Sequence, residues 1–572
     1  MTIALPAAPP HRRFAFDLSK PVLYVFVALL CVLIVLPLSW LLVYSLTDAK
    51  GGLTLNNFYR LFTESSFYDP LITTFIIAIS SAFFCCVLAA PMSWLVARTD
   101  LPCSRFVRAL VTASFVTPPF LGAIAWELLA APNSGPLNNI FRAVTGAGQD
   151  EHLFNIYTLA GIIFVISCYT FPYVFVLVAN SLDRTPGELE DASSILGGGR
   201  WVTARRITIP LVLPALLAGA LVAFLQAMTL FGSPAILALP AGFHTMTTKI
   251  WSLFQFPPKP ELAAAASLPL LLLTVILLRA EHMILGRRGY SIVGGKYGAP
   301  RLIPLHHWRW PAFVLCLAVL MMPVFLPYAA LFNAAFSPVA TTFLTFHNFT
   351  LQNIHFVFFE LSATQLVLKN TVILGGAAAT VGTLLALLIS YMTARQAVAG
   401  HRALGFLATA PIAIPGIVLG VGLFLSYTRP PFVLYGTLWI LLIAFVTIAL
   451  PSAYQQLQAA FRTIHPELED ASRILGATRL RSLWQITAPL LRTSVIATWC
   501  FIFVGVMREL SAAIILFTSE TKVISVLIYD LNESGDLGAI SVIGLGMLII
   551  TLAVVIAANR IPGFGAVRLR ST

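Results

Sequence analysis

Long apolar runs separated by short polar segments make up almost the whole chain. The runs fall near residues 22–46, 71–97, 107–130, 156–179, 209–230 and 263–280. A second set falls near 309–335, 369–394, 404–427, 433–453, 488–507 and 538–558. Each is long enough for a helix that crosses a bilayer, where about 20 apolar residues suffice. The pattern predicts an all-α membrane protein of about 12 transmembrane helices in two parallel six-span halves. It divides the chain into an N-terminal tail (1–20), a first six-helix repeat (21–280), a basic linker (281–308), a second repeat (309–560) and a C-terminal tail (561–572).

The two halves repeat one another. Residues 172–210 lie on 451–489 at a constant offset of 279, and ELEDASSILG from Glu188 matches ELEDASRILG from Glu467. Upstream, Ser93, Arg98, Arg105 and Pro118 meet Ser390, Arg395, Arg402 and Pro415 at an offset of 297. The 18 extra residues fall in a longer loop, 131–155, of the first half. An even number of spans per half brings both halves in from the same side, related by a pseudo-two-fold axis along the membrane normal.

Composition narrows the class. Of 572 residues 58% are hydrophobic and 10% charged, too apolar for a water-soluble surface. That excludes a soluble enzyme, a nucleic-acid-binding module and a disordered scaffold. The net charge of +12 reads instead as topology. With the N-terminus inside, 26 of the 35 Lys and Arg lie in inside segments, so both termini are expected in the cytoplasm. Arg287, Arg288, Lys296, Arg301, His306 and His307 of the linker suit that side and anionic lipid. The seven cysteines match no metal or disulfide spacing and read as small fillers.

The repeated polar loops carry the chemistry. In the first, Thr185-Pro186-Gly187-Glu188 has the form of a capping box. Glu188, Glu190 and Asp191 suit the positive end of a helix dipole. Ala192, Ile195 and Leu196 form an apolar stripe, and Gly197 permits a left-handed stop. The second loop repeats the plan with Glu467, Glu469, Asp470, Ala471, Ile474, Leu475 and Gly476. These loops resemble the EAA motif of permease subunits in binding-protein-dependent ABC importers. The motif spacing is kept by Asp191-Ala192-Ser193, Gly197, Ile207 and Pro210, and by Asp470-Ala471-Ser472, Gly476, Ile486 and Pro489. Asp replaces the family's Glu, and Ser its second Ala, in both copies.

The resemblance implies a fused permease of the type I importer kind, similar to ferric iron and 2-aminoethylphosphonate permeases and more distantly to thiamine permeases. It implies a bacterial inner-membrane protein, two copies of a separate ABC ATPase docked on the loops, and a periplasmic or lipid-anchored binding protein. Glu188, Glu190, Asp191, Ala192, Gly197, Glu467, Glu469, Asp470, Ala471 and Gly476 would be the coupling residues. Ferric iron is the expected cargo, with the phosphonate as alternative. ATP and Mg would belong to the partner: residues 289–297 are the nearest decoy for a P-loop and have the wrong spacing. No cofactor, metal site or catalytic residue is expected on this chain, and no nucleic acid. A secondary transporter driven by an ion gradient would share the span count but not the paired loops.

After the fifth span of each half comes a short apolar stretch, 231–240 and 508–517, of a length that suits a re-entrant or interfacial helix. Thr229-Leu230 of one half stands where the other has Arg508-Glu509. Arg508 and Glu509 are candidates for the substrate path, against a reading as an outer-leaflet ion pair or helix-end charges in water. Glu127 reads as a wetted helix end, His244 as a lone loop histidine, and Tyr24, Trp126, Trp251 and Tyr529 as interfacial anchors.

Overall fold

The computed structural model describes residues 19–185, 187–286, 302–396 and 398–559. Both expected tails (apart from Ser19 and Lys20), the 289–297 stretch and linker residues Arg287, Arg288, Lys296 and Arg301 lie outside the described residues. Among those described, nine helices are long and apolar enough to cross a membrane. They are Leu23–Ser45, Ser65–Arg98, Leu159–Arg184, Trp201–Thr229, Pro260–Ala280, His306–Phe336, Ser362–Ala394, Leu438–Phe461 and Leu537–Ala557. Three bent pairs raise the number to twelve, here numbered span 1 to span 12 in chain order.

The bends correct the expectation of continuous helices. Span 3 breaks by 97° between Ser104–Val116 and Pro119–Ala130, span 9 by 109° between His401–Ala413 and Gly416–Tyr427, and span 11 by 71° between Leu483–Leu490 and Arg492–Arg508. The first two have a plain cause. Pro118 and Pro415 force the residues before them out of the helical region: Thr117 has ψ 126° and Ile414 ψ 111°. Span 5 runs through the region where span 11 breaks, carrying Leu213 where span 11 has Arg492.

Spans 2, 4 and 5 pack together, as do 8, 10 and 11. The same hydrogen bonds recur in both halves. Ser93 donates to the Phe175 carbonyl at 3.1 Å and Ser390 to that of Tyr454 at 3.2 Å. The Met246 amide donates to Thr74 at 2.8 Å and the Ile524 amide to Thr371 at 2.9 Å. The extra loop of the first half holds a helix, Pro136–Thr145, whose Arg142 donates to the carbonyls of Pro132, Asn133, Gln149 and Glu151.

Each half lends its first span to the other: span 1 packs on Gly416–Tyr427 and span 7 on Pro119–Ala130. Both lent helices contain a wide π turn, Cys31–Val35 and Met321–Phe325, followed two residues later by Pro37 and Pro327. In such a turn the next carbonyls, of Val32 and Met322, would accept from residues 37 and 327, which as prolines have no N–H. The opposite half supplies the donor. The Tyr427 hydroxyl donates to Val32 O at 3.1 Å and Trp126 Nε1 to Met322 O at 3.2 Å. Tyr427→Phe is expected to lower the melting midpoint of the purified protein, because an unmet carbonyl away from water costs about 1–3 kcal/mol. An unchanged midpoint would mean that this bond does not join the halves.

Candidate functional site

The two loops form matching short helices, Glu188–Ile195 and Glu467–Ile474. Their acidic first turns and glycine stops are as expected: Gly197 has φ +80° and Gly476 φ +90°, with nothing within 4 Å of where a side chain would begin. The capping box is not. The Thr185 hydroxyl donates back to the Ser181 carbonyl at 2.9 Å, and the helix N-cap is Gly187 with no side-chain cap. Thr185 is drawn away because it is buried under the loop, where its own carbonyl accepts from Arg98 at 3.2 Å. Beyond Gly197 a second helix runs directly into span 5.

The ten expected coupling residues divide by exposure. Glu188, Ala192, Gly197, Glu467, Asp470, Ala471 and Gly476 are exposed. With them the apolar tips stand in the open, Ile195 and Leu196 being 84% and 86% accessible and Ile474 and Leu475 85% and 89%. Asp191 is half-buried. Glu190 and Glu469 turn inward and hold the loop to the spans. Glu190 Oε1 lies 2.6 Å from Nη2 of Arg98 and accepts from Thr208 at 3.1 Å. Glu469 Oε1 lies 3.0 Å from Nε of Arg395 and accepts from Thr487 at 2.9 Å. Arg395 also donates to the Ile464 carbonyl at 3.0 Å, the counterpart of Thr185. Each clamp thus ties a loop helix to the end of span 2 or 8 and the start of span 5 or 11. A second tie joins Ser193 to Thr203 at 2.7 Å and Ser472 to Ser482 at 3.0 Å. Arg98, Arg395, Thr208 and Thr487 were legible only as matched positions of the repeat, not as parts of one device.

Between the halves lies a cavity of about 990 Å³. Both proline bends line it, through Phe115, Pro119, Ile414 and Gly416, as do Arg508 and Glu509. Broken helix at membrane depth is tolerated where it borders such a space. The apolar stretches after spans 5 and 11 insert beside it. Gly232–Leu237 is buried throughout against span 3, and Ala513–Leu516 against spans 9 and 10. They are re-entrant rather than interfacial.

Several residues expected at the outer membrane edge lie inside the bundle. Arg508 and Glu509 border the inner cavity rather than a wetted helix end, and they are not an ion pair with each other. The Arg508 guanidinium sits over the Phe115 ring at 5.3 Å, while Glu509 Oε1 accepts from the Ala512 amide at 3.0 Å. Trp251 and Tyr529 are not lipid anchors. They occupy equivalent places in the two halves and meet edge-on at 5.7 Å with Phe231 beside them, which puts the pseudo-two-fold axis between them. Trp126 is buried in the contact between halves, whereas Tyr24 is exposed as an anchor should be. Glu127 accepts from the Tyr157 hydroxyl at 2.8 Å and keeps its other oxygen buried. Among the described residues no group of three potential metal ligands gathers, around His244 or elsewhere.

Up to twelve apolar spans among the described residues, in two interlocked repeats each with a clamped, outward-tipped loop, define a two-repeat polytopic membrane protein of the permease type. The chain belongs to the family of binding-protein-dependent transport system inner membrane components, whose model matches residues 89–288 and 382–563. It is similar to the ferric transport system permease protein FbpB of Actinobacillus pleuropneumoniae, 26% identical over 78% of this chain and 64% of the relative. A putative FbpB of Haemophilus influenzae is 27% identical over 71% and 64%. The match thus spans somewhat under two thirds of those relatives' length. A putative 2-aminoethylphosphonate permease, PhnV, of Salmonella paratyphi A is 24% identical over 26% of this chain and 57% of the relative.

Proposed function

We propose that this chain is the entire membrane-spanning part of an ATP-driven importer, with ferric iron as cargo. Two copies of an ATPase dock on the loops near 183–208 and 462–487, and a substrate-binding protein delivers cargo to the opposite face. The chain lies in a bacterial inner membrane with both termini in the cytoplasm, the loop-bearing face inward. The observation that carries the reading is the pair of equivalent loops whose apolar tips protrude while their inner carboxylates are clamped to the spans. A loop so fastened moves spans 2 and 5, or 8 and 11, when its tip is pushed. The halves then rock about the cavity between them. ATP chemistry is left to the partner.

The test is uptake of ferric iron and of 2-aminoethylphosphonate, side by side, in vesicles holding the permease, its ATPase and its binding protein. Iron uptake that requires ATP supports the reading. Phosphonate uptake alone would replace the cargo. Uptake that survives ATP depletion and collapses with the proton gradient would replace the mechanism by that of a secondary transporter.

A further inference from the structure

The cavity between the halves is asymmetric in charge. Ser525 donates to the carbonyl of Glu509 at 2.7 Å where Thr247 donates to that of Leu230 at 3.0 Å. Residues 508 and 509 therefore stand where the first half has Thr229 and Leu230. Both pairs line the cavity, and one pair alone is ionisable.

The two charges are not equally available. Glu509 is engaged by the peptide N–H of Ala512 and lies against Gly416, where a methyl group would come to 3.1 Å from its Oε1. Backbone donors and a close wall hold that carboxylate in place. Arg508 makes no salt bridge and no side-chain hydrogen bond among the described residues; its guanidinium rests on the Phe115 ring. A guanidinium carries five N–H donors in a planar fork that matches two oxygens of a carboxylate, phosphate or phosphonate. A guanidinium on the cavity wall with no acceptor among the described residues leaves that fork free for a ligand. The remaining polar lining, such as Gln226, Thr229 and Gln455, is uncharged.

We propose that Arg508 is an anion-recognition residue of the passage, so that cargo crosses with an oxyanion group against it. This deepens the transport reading and rests on it. The oxyanion has two sources, an organophosphonate or an anion carried by a ferric ion, and both present paired oxygens to the same fork.

The experiment is arginine modification by phenylglyoxal on the full-length permease in membranes, read by mass spectrometry of the peptide that contains Arg508. Inorganic phosphate at millimolar concentration is expected to slow modification of Arg508 at least threefold relative to chloride at equal ionic strength, with no protection of Arg142. Equal rates in phosphate and chloride would overturn the proposal. Stronger protection by 2-aminoethylphosphonate than by phosphate names the phosphonate source, and stronger protection by ferric citrate names the metal-borne anion. In the reconstituted importer, Arg508→Gln is expected to lower uptake at least tenfold and Arg508→Lys, which keeps the charge without the fork, by less. Undiminished uptake by the Gln variant would equally overturn the assignment. The labelling arm needs no ATPase, so an unprotected Arg508 removes the anion site while ATP-dependent uptake by the wild type is judged separately.

Discussion

Glu190→Met is expected to destabilise the first loop and the spans beneath it, and Arg98→Met/Glu190→Met to restore much of the loss. The Arg98 side chain is wholly buried and that of Glu190 is 12% exposed. Removing one partner of a buried pair strands the other charge, at a cost of about 3–5 kcal/mol. The residual water contact of Glu190 argues for the lower end. Removing both leaves no stranded charge, and a double-mutant cycle isolates the difference. The measurements are the melting midpoint in detergent and amide exchange across residues 183–208. A single variant as stable as wild type would show that the pair is not what fastens the loop. Glu469→Met should behave alike in the second half, since Arg395 and Thr487 surround Glu469 in the same way.

That clamp shows where a sequence stops being legible. The repeat, the span count and the loop helices follow from local pattern, and the structure has them where the pattern puts them. Arg98 is 92 positions before Glu190, and no periodicity links residues that only the packing of spans 2, 4 and 5 brings together. Hydropathy also carries no direction. Residues 107–130 and 404–427 are apolar along their length whether the helix runs straight or turns through 97° or 109°. Pro118 and Pro415 were visible as repeat markers, and their effect on the residue before each was the available signal for the bends. Lipid and protein interior demand the same side chains, so Trp251 and Tyr529 read equally well as anchors or as the contact on the pseudo-two-fold axis. Arg508 was legible as a substrate-path candidate, but its surroundings were not. Chain order puts it at the end of span 11, while the re-entrant turn that follows folds that end into the bundle.

The second large effect concerns the loop tips and separates docking from folding. Leu196→Asp combined with Leu475→Asp is expected to abolish ATP-coupled uptake and leave the melting midpoint of the permease unchanged. Both leucines are almost fully accessible in the permease alone, at 86% and 89%, so their replacement removes no internal contact. Against a partner the account differs. Burying a leucine contributes about 1.5–3 kcal/mol, or about 10- to 100-fold in affinity at each loop. A carboxylate held in a dry interface adds its own desolvation cost. On the proposed function two loops on one chain engage two ATPase copies, so a defect at either tip leaves one ATPase unable to push. Each single variant should therefore lose most uptake rather than half of it. Co-purification of the ATPase with the permease and ATP-driven uptake in vesicles are the readouts. Retained co-purification with normal uptake in the double variant would place the coupling surface elsewhere, and a lowered midpoint would mean that the tips are packed in a way the permease alone does not show. The clamp variants should give the reverse pattern, with a lowered midpoint and the tips still chemically intact. Together the two experiments distinguish a loop that cannot hold its ATPase from one that holds it but cannot pull on the spans.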